Sequence, residues 1–302
     1  MLKNILLVGA NGFISKNLLD FHKKNSTNVN FILASKHVID GIFNENYTSY
    51  EVSYEKNNEL EEIFKNNHID EVFHFASSYF PKNSNSNIID NINTDLIGTI
   101  NLLNLMVKFN VSKITYLSSG GSIGDSVSSN LLNSYAIIKN TSENYLKLYF
   151  HLYKINYLII RPSNVFGIFH KNLNNGFINI VIKNSVRNLT TEIWGDGKIS
   201  KDYVFAQDLI SIIWKLNLLE IWNETIYIGS GIPQTQIDIL NIFKEMNVDI
   251  KYKFVNQKNF DMQISHNYQN SFLNYFDHTF TPLVQAIELT YNWELNTFYE
   301  TH

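Results

Sequence analysis

Ile5-Leu-Leu-Val-Gly9-Ala-Asn-Gly12-Phe-Ile-Ser15 decides the fold. Four consecutive aliphatic side chains leave no polar face, the pattern of a central parallel strand buried on both sides. Two glycines then allow a turn that side chains would obstruct, and helical patterning starts near Phe13. A strand, a glycine turn and a helix in that order let a pyrophosphate sit on the backbone amides of a helix N-terminus. Glycine pairs open many helices, so the turn alone carries little; its place between strand and helix strengthens it. Ser15 stands where a third glycine would, and asks for more room between helix and sheet.

The alternation continues outward from this unit. Phe31 to Ala34, Glu71 to Ala76, Ile114 to Leu117 and Tyr157 to Ile160 read as strands. Glu59 to Asn67, Asn93 to Phe109 and Tyr135 to Tyr153 read as helices, the second with Leu96, Ile100, Leu103 and Met106 on one side. Strands and helices alternating at this pitch predict an α/β fold with a Rossmann-type doubly wound parallel sheet over residues 1–165. Beyond Gly167 the pattern loosens. Phe177 to Val186, Gln207 to Leu218 and Leu283 to Leu289 read as helices, Thr191 to Trp194 and Thr225 to Ile228 as strands. A smaller, interleaved lobe is expected over 166–302, with a segment near 207–232 returning to the first domain.

Composition narrows the function classes. The 302 residues are enough for a large core, and 44% hydrophobic with 17% charged residues is ordinary for a soluble enzyme. A formal charge of −4 gives no basic footprint for nucleic acid. With no cysteine there is neither disulfide nor thiolate metal site, and the nine histidines lack ligand spacing, so no metal is expected. No run of about 18 apolar residues predicts a membrane span. The apolar start is broken by Gly9, Asn11 and Gly12 and has no small-residue cleavage site, so a cytoplasmic location is expected.

Tyr135-Ala-Ile-Ile-Lys139 carries the chemistry. Residues four apart share a helix face, so the Lys139 ammonium is expected near the Tyr135 phenol, lowering its pKa toward a range useful for proton transfer. In a chain with 17 tyrosines the spacing alone is weak. Its position after Ser118-Ser119 adds to it, because a hydroxyl at a strand's carboxyl end can bond the same substrate oxygen that the phenol protonates.

At this point the sequence resembles the extended short-chain dehydrogenase/reductase family, in its branch of nucleotide-sugar epimerases, dehydratases and reductases. Ile69 to Ala76, Gly98 to Leu103, Arg161-Pro-Ser-Asn-Val-Phe-Gly167, Trp194-Gly-Asp-Gly197 followed by Lys201-Asp-Tyr-Val204 and Asp208-Leu209, and Ile226 to Gly231 match its segments in order. The resemblance implies Tyr135 as acid/base, Lys139 as holder of the nicotinamide ribose, and Ser119 as binder of the reacting oxygen, with Ser122 its competitor. It implies a cofactor site of Gly9, Asn11, Gly12, Phe13, Ile14, Ser35, Lys36, Ser53, Phe75, Ala76, Ser77, Pro162 and Val165 beside Tyr135 and Lys139. Ser78, Gly120, Asn164 and Lys201 join Ser119, Ser122 and Tyr135 at the nucleotide sugar. Lys201 stands where the family usually carries an arginine, keeping the charge without the bidentate fork.

Leu33-Ala-Ser-Lys36 ends the second strand without an acid for the ribose hydroxyls, and Ser53 replaces another near adenine. A hydroxyl followed by a lysine suits a 2′-phosphate, so NADP(H) is favoured over NAD(H). Gly120 and Gly121 occupy the positions where dehydratases carry their acid and base. The expected reaction is reduction of a nucleotide-linked 4-keto-hexose in surface-polysaccharide precursor synthesis. The alternatives are a 4-epimerase with tightly bound NAD and a non-catalytic NADP(H)-binding sensor. The resemblance also implies a homodimer formed through the helices of 93–109 and 135–153.

Overall fold

Strand β1 (Lys3–Val8) is buried because neighbours pair with it in parallel on both sides, β2 (Val29–Ser35) on one and β4 (Glu71–His74) on the other. Ile5, Leu6, Leu7 and Val8 are at most 1% exposed. The computed structural model describes residues 2–37, 47–53, 56–77, 87–120, 133–171, 176–256 and 270–301. Seven strands form the main sheet in the order β11 (Glu224–Ile228), β6 (Asn156–Pro162), β5 (Lys113–Leu117), β4, β1, β2, β3 (Thr48–Glu51). The registers from β6 to β3 are parallel. The chain winds from β1 out to β3, then crosses back to β4. That reversal leaves a crevice at the carboxyl ends of β1 and β4, where doubly wound sheets bind ligands.

Helices α1 (Phe13–Asn25) and α2 (Asn57–Asn66) follow β1 and β3. The next helical stretch differs from the single helix expected over 93–109. It consists of α3 (Ile88–Asn91), a π-helical turn (Ile92–Ile97) and α4 (Gly98–Lys108). The wider turn rotates the buried face, so Thr94 and Asp95 lie inside while Leu96 and Ile100 are only partly covered. Leu102, Leu103 and Met106 pack with Val72, Ile114 and Ile159 in the main core. Helix α5 (Ser134–Tyr153) lies between β5 and β6 in the chain.

The chain divides into two compact units, residues 1–161 with 213–226, and 162–212 with 227–302. The second contains β7 (Asn164–Phe166), α6 (Phe177–Val186), β8 (Thr191–Trp194), β9 (Ser200–Lys201) and β10 (Tyr203–Phe205). After α7 (Ala206–Leu218), which straddles the division, come β12 (Gln234–Thr235), α8 (Gln236–Glu245), β13 (Tyr252–Val255) and α9 (Leu283–Thr301). Its strands pair two by two, β10 with β7, β12 with β9 and β13 with β8. Ile178, Val181 and Ile182 of α6 meet Ile239, Leu240 and Phe243 of α8 and Ile287 of α9 in its core. Helix α8 starts on a capping box in which Thr235 and Asp238 satisfy each other's backbone amides. Among the described residues no helix is long and apolar enough to cross a membrane.

The amino ends of the first unit's strands hold a buried charge. Glu71 is fully buried; it pairs with Lys3 at 2.5 Å and accepts from Thr115 Oγ1 at 3.1 Å and from Asn217 Nδ2. Burial pushes its carboxyl up and Lys3 pulls it back. Lys3→Met removes the cation and is expected to cost about 2 kcal/mol at about pH 8. A carboxyl whose pKa is raised on folding supports the fold most when protonated and loses that support as pH rises, so the loss should shrink at about pH 5. Urea unfolding at both pH values checks this; equal losses would refute it.

Candidate active site

Gly9 leaves β1 with φ +87°, and a Cβ there would lie 2.6 Å from the Ala76 backbone. Only glycine lets the exits of β1 and β4 pass this closely. The Gly9 and Ala10 amides donate to Ala34 O at 2.8 and 3.1 Å, and Gly12 N–H donates to Gly9 O at 2.9 Å. Helix α1 then begins with Gly12 as its N-cap and no side-chain cap. A bare turn running into an uncapped helix start fits the diphosphate of a dinucleotide, alongside Asn11, Phe13 and Ile14. Ser15 is accommodated inside, 1% exposed, its Oγ without a hydrogen-bond partner among the described residues.

At the end of β2, Ser35 Oγ donates to its own loop at His37 O, 2.5 Å away, and Lys36 is exposed. Lys36, Glu51, Val52, Ser53, Lys56 and Glu59 line a cavity of about 330 Å³. After β4, Phe75 is buried and its amide donates to Val8 O at 3.0 Å. Ala76 is partly covered, and the exposed Ser77 donates from Oγ to Asp95 Oδ2 at 2.9 Å.

Helix α5 begins where Asn133 Oδ1 accepts from Ala136 N at 2.8 Å, which fixes Tyr135 in the first turn. Tyr135, Lys139 and Glu143 follow at intervals of four along one face. Ser119, just beyond β5, lies within hydrogen-bonding reach of the Tyr135 oxygen. Lys139 Nζ donates to Leu117 O at 2.9 Å and lies 4.8 Å from the Tyr116 ring centroid and 5.8 Å from that of Tyr135. Glu143 is fully buried and accepts from Ser118 Oγ at 2.5 Å, Arg161 Nε at 2.8 Å and Arg161 Nη2. Ser119 and Tyr135 are therefore set by a lock that joins the end of β5, helix α5 and strand β6.

The electrostatics differ from what the spacing predicts. Lys139 is aimed at a carbonyl and a ring face, and it does not pull the phenol down. Tyr135 is partly exposed as a residue, yet burial of its oxygen dominates and pushes the phenol up to about 12; the Ser119 bond works against this and the Asp95 charge adds to it. Burial draws the Lys139 ammonium down to about 8, with Asp95 and Glu143 opposing. His74 is brought to about 3 by burial and then by Lys139, so it is neutral, its Nε2 paired with Thr99 Oγ1 at 2.9 Å. Burial also raises Tyr116.

Among the expected residues, Ser119, Tyr135 and Lys139 come together, with the buried Gly120 beside Ser119. Ser78 and Ser122 lie outside the described residues. In the second unit, Asn164 donates from N and Nδ2 to Asp202 O at 3.1 and 2.9 Å, between Pro162 and Val165. Lys201 precedes Asp202, whose carboxylate accepts from Ser230 N and Oγ at 2.8 and 2.7 Å and from Gly231 N at 3.0 Å. Three groups near the pair escape sequence reasoning. Glu143 was visible as the next member of the Tyr135–Lys139 stripe, whereas Asp95 and Tyr116 carried no spacing signal.

Over residues 5–225 the chain matches the NAD dependent epimerase/dehydratase family. A Methanocaldococcus jannaschii protein provisionally named UDP-glucose 4-epimerase is 30% identical over 253 residues, covering 80% of this chain and 81% of that protein. The GDP-6-deoxy-D-talose 4-dehydrogenase of Aggregatibacter actinomycetemcomitans is 27% identical over 256 residues, 81% of this chain and 80% of that one. The solved UDP-glucose 4-epimerase of Bifidobacterium longum, in complex with NAD+ and UDP, shares the fold with a TM-score of 0.86 at 18% identity, over 99% of each chain.

Proposed function

This chain belongs to the NAD dependent epimerase/dehydratase family, and on that premise we propose that it catalyses oxidoreduction at C4 of a nucleotide-linked hexose, with NADPH-dependent reduction of a 4-keto sugar as the leading reaction. It is an NAD(P)-dependent enzyme, as its relatives are. The observation that carries the proposal is the Tyr135–Lys139 pair on one face of α5, with Lys139 clamped by Leu117 O and Ser119 beside the phenol.

The nicotinamide, when bound, supplies or accepts the hydride. Ser119 holds the sugar oxygen, and Tyr135 passes its phenol proton to that oxygen as C4 is reduced. Lys139 keeps positive charge beside the phenolate left behind. A phenol held up at about 12 is protonated at neutral pH, so Tyr135 rests in the state that can donate. The first unit would bind the dinucleotide through the Gly9–Gly12 turn, and Asn164 and Lys201 of the second would bind the sugar diphosphate. Lys36, exposed at the end of β2, would with Lys56 meet a 2′-phosphate in the cavity they share with Glu51 and Glu59. The second reading is a 4-epimerase with bound NAD, supported by the name of the Methanocaldococcus jannaschii relative.

Tyr135→Phe is expected to lower turnover about 10²–10⁴-fold while leaving circular dichroism unchanged. Near-normal rates would remove Tyr135 from the mechanism.

NADPH should bind at least about tenfold tighter than NADH. Lys36→Ala should erase that preference and Ser35→Asp reverse it. Mass spectrometry of products from UDP-, dTDP-, CDP- and GDP-linked sugars decides the reaction. Stoichiometric NADPH consumption with a 4-keto sugar supports the reductase; C4 epimers formed by bound NAD alone replace it with the epimerase.

A homodimer is also proposed, because Ile89, Ile97, Ile137, Leu148 and Leu152 leave apolar surface exposed on the helices at 88–108 and on α5. Light scattering should give twice the 35.1 kDa chain mass; a monomer refutes it.

A further inference from the structure

The helical stretch from Ile88 to Lys108 changes pitch at Ile92–Ile97. A π turn within an α-helix is rare and is frequently found at functional sites. This one turns polar groups inward: Asp95 is 6% exposed while Ile97 is 41% exposed. Asp95 is held from neighbouring elements. Its Oδ2 accepts from Ser77 Oγ after β4 at 2.9 Å, and its carbonyl accepts from Thr99 Oγ1 of α4 at 2.6 Å. The same Thr99 hydroxyl pairs with His74. Burying a carboxylate is costly unless charge and hydrogen bonds compensate it, so a carboxylate fixed here calls for a reason.

We propose that Asp95, carried inward by the π turn, is a positioning residue for the Tyr135–Lys139 pair, its carboxylate balancing the Lys139 ammonium and opposing negative charge on the Tyr135 oxygen. Five charged or titratable groups surround the pair: His74 from β4, Asp95 from the π turn, Tyr116 from β5, Glu143 from α5 and Arg161 from β6. His74 is neutral, Tyr116 stays protonated, and Glu143 is matched by Arg161. The π turn that carries Asp95 packs against α5, the helix of Tyr135 and Lys139, so its carboxylate disfavours the phenolate and favours the ammonium. With Asp95 in place the resting pair is phenol plus ammonium, the proton-donating state. The consequence for turnover rests on the reaction proposed above; the effect on Lys139 does not.

The test follows Lys139 by NMR in the purified full chain carrying ¹³C at its lysine ε-carbons, the resonance assigned by its loss in Lys139→Met. Asp95→Asn should lower the Lys139 midpoint from about 8 by roughly one pH unit, the scale of a single charge several ångströms away. Asp95→Glu, which keeps the charge, should stay near the wild-type midpoint. If Asp95→Asn fails to fold by circular dichroism, Asp95→Ser removes the charge in a smaller side chain. An unchanged midpoint in a folded neutral variant overturns the proposal and leaves Asp95 a packing role. If the wild-type protein turns over a nucleotide sugar, the pH profile of Asp95→Asn should move to lower pH with the NMR midpoint. If it turns over none, the substrate reading fails while the Lys139 titration still decides the role of Asp95.

Discussion

The buried Glu143 carboxylate is the constraint on which the site depends. It has no access to water, so folding must deliver donors to it or lose several kcal/mol. Those donors are Arg161 at the end of β6 and Ser118 at the end of β5. Satisfying Glu143 therefore aligns two strand ends with helix α5. Once that alignment exists, Ser119 and Tyr135 have little freedom to separate. The same stripe of α5 that carries the proton-transfer groups also carries the group that fixes their register. A substitution at Glu143 would thus disturb placement before it disturbed chemistry.

Around this lock the first unit keeps charge where an apolar core would be easier to build. The Asp95 and Glu143 carboxylates both favour the Lys139 ammonium. Burial works against every charged form, which is why Lys139 falls while Tyr135 and Tyr116 rise. The carbonyl of Leu117 and the face of Tyr116 take up the ammonium instead of the phenol. Lys139 thus contributes less by tuning Tyr135 directly than by keeping a positive charge at a fixed point. The phenol consequently rests in its protonated form.

Much of this was legible in the sequence, for identifiable reasons. The aliphatic run at Ile5–Val8 and the glycines after it have one good solution, a buried strand with a tight exit, and the structure adopts it. Helix periodicity placed Tyr135 and Lys139 on one face, whereas Ser119 was singled out over Ser122 only by the family resemblance. Asp95 was hidden because the π turn breaks the period on which such reasoning relies. Leu96 and Ile100 looked like the inward face, yet the extra residue per turn sends Thr94 and Asp95 inside. The direction of the Tyr135 shift was missed because spacing reports proximity and says nothing of burial. Helix α8 was overlooked although Thr235 and Asp238 spell its cap, because a two-turn apolar pattern is short. Helix α9 runs on to Thr301 past the Leu289 at which its apolar pattern thins.

Each of the two units holds its residues by contacts of its own. Ser119, Tyr135, Lys139, Asp95, Glu143 and Arg161 all belong to the first unit, and each is held by neighbours within it. Under the proposed function, proton transfer would be positioned by these contacts within the first unit. The second unit has its own anchor: Asp202 gathers the backbone of Ser230 and Gly231, and a side chain at Gly229 would strike its carboxylate at 2.3 Å. Asn164 is tied to the same residue through its amide. Changes around that anchor can alter what the second unit grips while the first keeps its hydrogen bonds, because interactions without shared partners are close to additive. Under the proposed function, the choice of sugar and the transfer of the proton would rest on separate sets of contacts.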